Sequence, residues 1–161
     1  MATSAQDSRQ TSVSRRDLIE LLNSDLAREY QAIIAYVVHS HVLKGAAYMS
    51  IAGELEKHAL EELNHALIIA KQIDYLGGMP AVKHLAVPSE QAEKMLRYDL
   101  EQETQTIAGY RERVRQCEAL GEYAMAEEIR KILVNEQEHE IDLATALGEN
   151  VPQVRSKSRS A

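Results

Sequence analysis

Apolar residues recur at helical spacing along four long stretches of the chain, and glycine or proline interrupts the pattern between them. In the first stretch Leu18, Leu21, Leu22, Leu26, Ile33, Tyr36 and Val37 share a stripe, which predicts a helix from near Ser14 to about Leu43. Its start carries Ser14-Arg-Arg-Asp17, a capping box with Asp in the place of Glu. After the break at Lys44-Gly45-Ala46 a second helix is expected to about Leu76, stopped by Gly77-Gly78 with Pro80 beyond. A third should start after Pro88, with Ser89 as its N-cap, and reach about Ala119. Gly121 separates it from a fourth that ends near Leu147, before Gly148 and Pro152. The first two and the last two helices are joined by short turns and form antiparallel hairpins. The link between the hairpins, Gly77 to Pro88, has no helical period and is long enough, when extended, to run the length of a bundle. The fold expected is all-α: a four-helix bundle over residues 14–148, up-down-down-up with one long crossover, flanked by flexible tails at 1–13 and 149–161.

A shift of 74 residues lays the second hairpin on the first. It carries Asp25 onto Asp99, Leu26 onto Leu100, Glu29 onto Glu103, Gln31 onto Gln105, Ile33 onto Ile107, Tyr36 onto Tyr110, Glu54 onto Glu128, Glu62 onto Glu136 and His65 onto His139. Each half thus holds one Glu and, 33 residues later, a Glu-x-x-His. Glu29 and Glu62 are centred on Gly45, and Glu103 and Glu136 on the neighbourhood of Gly121, so each pair stands at one height, roughly 25 Å from its turn. The histidines lie one turn further along the same face. Two hairpins related by a pseudo-twofold axis would aim four carboxylates and two imidazoles at one mid-bundle volume. Four unpaired carboxylates in an apolar core would be very costly, whereas two divalent cations neutralise them. Ligation rich in oxygen, with one imidazole per ion, suits iron or manganese, and it has too little Cys and His for structural zinc.

Several other polar residues acquire roles from position alone. Asp25 and Asp99 stand level with the histidines and are expected to orient their rings. Tyr36 and Tyr110, two turns from Glu29 and Glu103, could hydrogen-bond the ligand carboxylates, pass an electron, or serve as core tyrosines. His58, one turn before Glu62, is a candidate for an outer iron site or entry path, but its counterpart is Ile132, which favours a surface or supporting histidine. His39, His41 and His84 are read as ordinary, Glu54 and Glu128 as flanking the site, and Cys117 as a small buried residue.

Composition adds limits. Ala, Leu, Glu, Ile and Gln are abundant, Trp and Phe are absent, and 161 residues suffice for one substantial core. No apolar run reaches the length of a membrane span, and the polar start does not resemble a signal peptide. A single cysteine excludes an internal disulfide and fits a reducing cytoplasm. The net charge of −7 divides into +2 on residues 1–16, +3 on 152–161 and −12 on the body between. An acidic body attracts cations, and the short Ser-rich basic tails read as solvated ends.

The constellation Glu29, Tyr36, Glu62-Leu-Asn-His65, Glu103 and Glu136-Gln-Glu-His139 resembles that of bacterioferritins, within the ferritin-like superfamily, from about residue 17 to 147. The resemblance implies a ferroxidase centre. Glu29, Glu62 and His65 would serve one iron, Glu103, Glu136 and His139 the other, with Glu62 and Glu136 bridging. The substrates would be Fe2+ with O2 or H2O2, and the outcome iron storage or detoxification. Leu63 stands where haem-binding members carry Met, so no haem is expected. The family's short fifth helix has no counterpart in the polar tail Pro152–Ala161. The resemblance therefore implies a homo-oligomer, a dimer or a larger shell, without implying a closed cage. Two other readings stay open: a di-iron or di-manganese peroxidase or catalase, against which the absence of a rubredoxin-type Cys pair counts, and a Dps-like protector whose basic tails bind DNA.

Overall fold

The computed structural model describes residues 13–87 and 91–153. Four helices account for nearly all of it: α1 Arg15–Val42, α2 Met49–Tyr75, α3 Ala92–Ala119 and α4 Tyr123–Ala146, with a single 3-10 turn at Ala46–Tyr48 before α2. Among the described residues there is no strand, and no helix is long and apolar enough to cross a membrane.

Local chemistry sets the helix ends. Ser14 caps α1 as expected: the Asp17 N–H donates to Ser14 Oγ at 3.1 Å, and the Ser14 N–H donates to Asp17 Oδ2 at 2.9 Å. At the end of α2 the Gly78 N–H reaches Ile73 O at 2.9 Å and the Gly77 N–H reaches Asp74 O at 2.8 Å. This double closure needs a left-handed residue, which Gly77 supplies at φ 83°. The same closure recurs after α3, through Gly121 and Glu122, and after α4, through Gly148 and Glu149. Gly78 has a second role. A Cβ there would lie 2.6 Å from Ile19 Cγ2 of α1 and 3.0 Å from Ile73 Cγ2. Neither methyl can swing aside, since both sit on β-branched side chains. Gly78→Ala is therefore expected to destabilise the chain by about 1–3 kcal/mol, seen as a lower urea midpoint with an unchanged slope.

The topology is that of the sequence reading. Within each hairpin the helices pack closely, and across the hairpins α1 meets α3 while α2 meets α4. Both cross-hairpin pairs run antiparallel: advancing along α1 from Asp25 to Glu29, Tyr36 and His39, the partners retreat along α3 from Arg113 to Tyr110, Glu103 and Asp99. The crossover runs up the flank of α1. Asn23 accepts from the Ala81 N–H at 2.7 Å and donates to Met79 O at 3.2 Å, and two turns higher Gln31 donates to Ala86 O at 2.8 Å. Ser89 and the bulk of both tails lie outside the described residues, and α3 starts at Ala92 with Gln91, not Ser89, in the N-cap position.

The core is in two parts. Leu18, Leu22, Leu26, Ile69, Ile73, Met125 and Ile129 fill one end, and Leu55, Leu96, Leu100 and Leu143 fill the other. Between them lies a polar layer. One stripe residue is misplaced in the sequence reading: Val37 is 53% exposed. Tyr36 turns inward to Glu103, so its neighbour, about 100° further round the helix, must face out.

Candidate metal centre

The polar layer holds Glu29 of α1, Glu62 and His65 of α2, Glu103 of α3, and Glu136 and His139 of α4, each no more than 3% exposed. All six side chains of the sequence pattern meet there. His65 Nδ1 lies 3.1 Å from Glu62 Oε2, 3.3 Å from Glu136 Oε1 and 3.4 Å from Glu29 Oε2. His139 Nδ1 lies 3.0 Å from Glu62 Oε1, 3.4 Å from Glu136 Oε2 and 3.9 Å from Glu103 Oε1. Glu62 and Glu136 therefore each present one oxygen to either histidine, while Glu29 and Glu103 each serve one side. The result is two clusters sharing two carboxylates: Glu29, Glu62, His65 and Glu136; and Glu62, Glu103, Glu136 and His139.

Protein partners do not saturate this layer. Glu29 Oε2, Glu62 Oε1, both Glu136 oxygens and His139 Nδ1 are buried without a hydrogen bond; His139 Nδ1 is near Glu62 but not aligned with it. Buried polar atoms are almost always paired, and leaving several unpaired in one place is costly. Two cations would satisfy all of them, so the donor set fits a dinuclear metal site. Without cations, protons perform the neutralisation. Burial, then the neighbouring Glu62 and Glu136, raise Glu29 well above the carboxylate range. Burial, Glu136 and Glu62 do the same to Glu103. Burial opposes charge on both imidazoles, but the carboxylates around them prevail: His65 is driven far up by Glu136, Glu29 and Glu62, and His139 is raised to about 12 by Glu136 and Glu62. Burial likewise opposes charge on Glu62, yet the His139 and His65 imidazoles beside it lower it far below its usual range.

The supporting residues differ from the sequence expectation. Asp25 and Asp99 do not orient the histidines. Asp25 accepts from Arg113 Nε at 2.7 Å and from Nη2 at 3.1 Å, and Asp99 pairs with His39 Nδ1 at 2.7 Å. Equal height along a hairpin does not make two side chains neighbours: the helix facing α1 at this level is α3. Burial raises Asp99, against the pull of His39. The atoms that face the outer imidazole nitrogens are Asn135 Oδ1, 3.2 Å from His65 Nε2, and Glu61 Oε2, 2.7 Å from His139 Nε2. Placing the ring proton on Nε2 leaves the Nδ1 lone pair directed at the centre.

The repeat contains the missed signal. Glu61 and Asn135 are 74 residues apart, and so are His39 and Arg113. His39, read as ordinary, is fully buried. The tyrosines bond carboxylates of this layer, but crosswise: Tyr36 donates to Glu103 and Tyr110 to Glu29. His58, half of no repeat pair, is buried and stacks on His139 with ring centroids 4.0 Å apart. His41 and His84 are exposed, Glu54 and Glu128 bind Lys57 and Lys131, and burial raises Cys117 to about 11. Asp25→Ala would leave Arg113 buried without its counter-ion and is expected to cost about 3–5 kcal/mol, whereas replacing both residues by apolar side chains should cost much less; a double-mutant cycle by chemical denaturation measures the difference.

Comparison with known proteins agrees with the geometry. The Ferritin-like domain profile matches residues 19–152. The chain belongs to the ferritin-like family. Curated relatives include the bacterioferritin of Brucella melitensis biotype 1, 28% identical with 82% of this chain and 87% of that protein covered, and the bacterioferritin of Desulfovibrio desulfuricans, 32% identical with 76% and 69% covered. Among solved structures, a ferritin-like diiron-carboxylate protein from Bacillus anthracis superposes with a TM-score of 0.79 at 32% identity, covering 83% of this chain and 96% of that one. A dodecameric thioferritin related to bacterioferritin, from Bacteroides fragilis, gives 0.77 at 29% identity, covering 86% and 89%.

Proposed function

We propose that this ferritin-like protein oxidises Fe2+ at a dinuclear centre inside each bundle and passes the product to storage. The observation that carries the reading is the buried layer of four glutamates and two histidines, with Glu62 and Glu136 divided between both halves. Glu29, His65 and Glu103, His139 are the terminal ligands of the two ions, and manganese would fit the same donors. Two Fe2+ give up one electron each, and the pair reduces O2 to H2O2 with two protons, or H2O2 to two waters with two protons. Carboxylates suit this chemistry because they change between terminal and bridging modes as the charge on the metals rises. Tyr36 and Tyr110 hold Glu103 and Glu29 by one oxygen and leave the other free to do so. The bacterioferritin relatives support iron oxidation and storage at the level of the family.

Aerobic titration with Fe2+ tests the function. Rapid oxidation of about two ions per chain, followed by many more retained in a soluble particle, is the expected course; oxidation that stops at two, with the iron held in place, would assign the centre to a peroxidase- or catalase-like enzyme instead. Storage also requires assembly. The first hairpin leaves Ile34, Val37, Leu60, Leu63 and Leu67 exposed, whereas α3 exposes no large apolar residue. This supports a homo-oligomer, a dimer or a larger shell, and the Bacteroides fragilis neighbour is dodecameric. Light scattering should give a mass of at least two chains, and Leu63→Glu with Leu67→Glu should reduce it to one. The lone cysteine favours a reducing cytoplasm.

A further inference from the structure

The repeat is broken beside the dinuclear centre in a telling way. Glu54, His58 and Asp142 bring one ligand atom each to within 4.8 Å of one another. A shift of 74 residues relates them to Glu128, Ile132 and Ile68. Glu is kept in both halves, while the positions of His58 and Asp142 are isoleucine in the other half. Ile132 is 1% exposed, and with Ile68 it belongs to the apolar core at that end of the bundle. One half is thus sealed with hydrocarbon where the other carries a histidine and a carboxylate.

That histidine is 3% exposed. Its Nε2 lies 3.1 Å from Asp142 Oδ2, its Nδ1 has no partner, and one face of its ring stacks on His139. Asp142 and Glu54 have side chains 40% and 38% exposed. The cluster therefore opens to solvent through its carboxylates and ends at His58, in contact with a residue of the centre. Lys57 now bonds Glu54 at 2.7 Å, and at 67% exposure it can swing into water when a cation takes its place.

We propose that Glu54, His58 and Asp142 form a third site, for a single divalent cation of the Fe2+ class, on the outer side of His139. Two carboxylates and one imidazole, with further positions open to water, suit Fe2+, Mn2+ or Co2+. Cation binding there stands on its own residues. The site's use as a way station, loading the centre from one side only, rests on the ferroxidase reading.

Anaerobic titration of the metal-free full chain with Co2+, followed by calorimetry and visible absorption, tests it. Wild type should bind about three ions per chain. His58→Ile with Asp142→Ile, which copies the sealed half, should bind about two, and Asp142→Ala, a change at the surface that leaves the core intact, should likewise lose one ion. Saturation of the wild type at two ions, or retention of the third in Asp142→Ala, would overturn the proposal. Glu62→Ala with Glu136→Ala reports separately on the dinuclear centre: it should retain one ion, and if it bound as many as the wild type the ferroxidase reading would fail while the third site stood. Under aerobic conditions Asp142→Ala should raise the Fe2+ concentration for half-maximal oxidation several-fold more than it lowers the maximal rate; an effect on the maximal rate alone would refute the loading role.

Discussion

Replacing Glu62 by alanine is expected to lower the initial rate of Fe2+ oxidation by at least about a hundredfold, and to destabilise the metal-free bundle by about 3–5 kcal/mol. The two halves of this result have one origin. Glu62 places Oε2 by His65 and Oε1 by His139, so its loss would remove a donor from both proposed metal positions at once. Glu29 and Glu103 each face a single position and are held by a tyrosine, so their replacement should impair one position more than the other. Without metal, Glu62 is the ionised counter-charge of His65 and His139, and removing one partner from a buried charge cluster is strongly destabilising. Initial rates by stopped-flow absorption, paired with urea unfolding of the metal-free variant, separate the two effects. A variant that oxidises iron at the parental rate would remove Glu62 from the centre; a metal-free variant as stable as the parent would show that His65 and His139 do not depend on its charge.

The structure also shows which kinds of information were legible in the chain. Helix ends were, because Ser14, Gly77, Gly121 and Gly148 each make a local closure that neighbouring residues complete. The convergence of the six donors was, because height in a hairpin follows from counting residues out from its turn. Direction around the helix axis and choice of facing helix do not follow from height. Asp25 stands level with His65, yet its partner is Arg113 on α3. The repeat was read through identical letters, and the supporting residues are repeated in role but not in letter. His39 and Arg113 both donate to a buried aspartate, and Glu61 and Asn135 both present an oxygen to an imidazole Nε2. Such pairs become visible once partners are sought at the repeat distance by hydrogen-bonding capacity instead of identity. Val37 fails for the opposite reason: its letter fits the stripe, but the carboxylate layer turns Tyr36 inward and rotates its neighbour out.

Loading the metal-free centre anaerobically at pH 7 is expected to release about two protons or more for each two divalent ions bound. Glu29 and Glu103 are raised well above the carboxylate range by burial and their acidic neighbours, which favours the protonated form. His65 and His139 are imidazolium under the pull of the carboxylates. Each must surrender its proton before its lone pair can bind a cation, so protons and metal ions are alternative means of neutralising the same layer. The pH dependence of stability should then reverse sign on loading. In the metal-free chain the native state binds more protons than the unfolded one. The contribution of His139 is complete below its ordinary value of 6.5 and disappears as the pH climbs toward about 12, and Glu29 and Glu103 lose stability once the pH exceeds the ordinary carboxylate value of 4.5. Metal-free protein should therefore melt at lower temperature as the pH rises from 6 to 8. Loaded protein, whose ligands carry no protons to lose, should melt at higher temperature over the same interval, because metal affinity rises with pH. Scanning calorimetry with and without Co2+ reads both slopes, and a pH-stat counts the protons. Parallel slopes, or a release of one proton or fewer, would mean that these four groups do not exchange protons for metal.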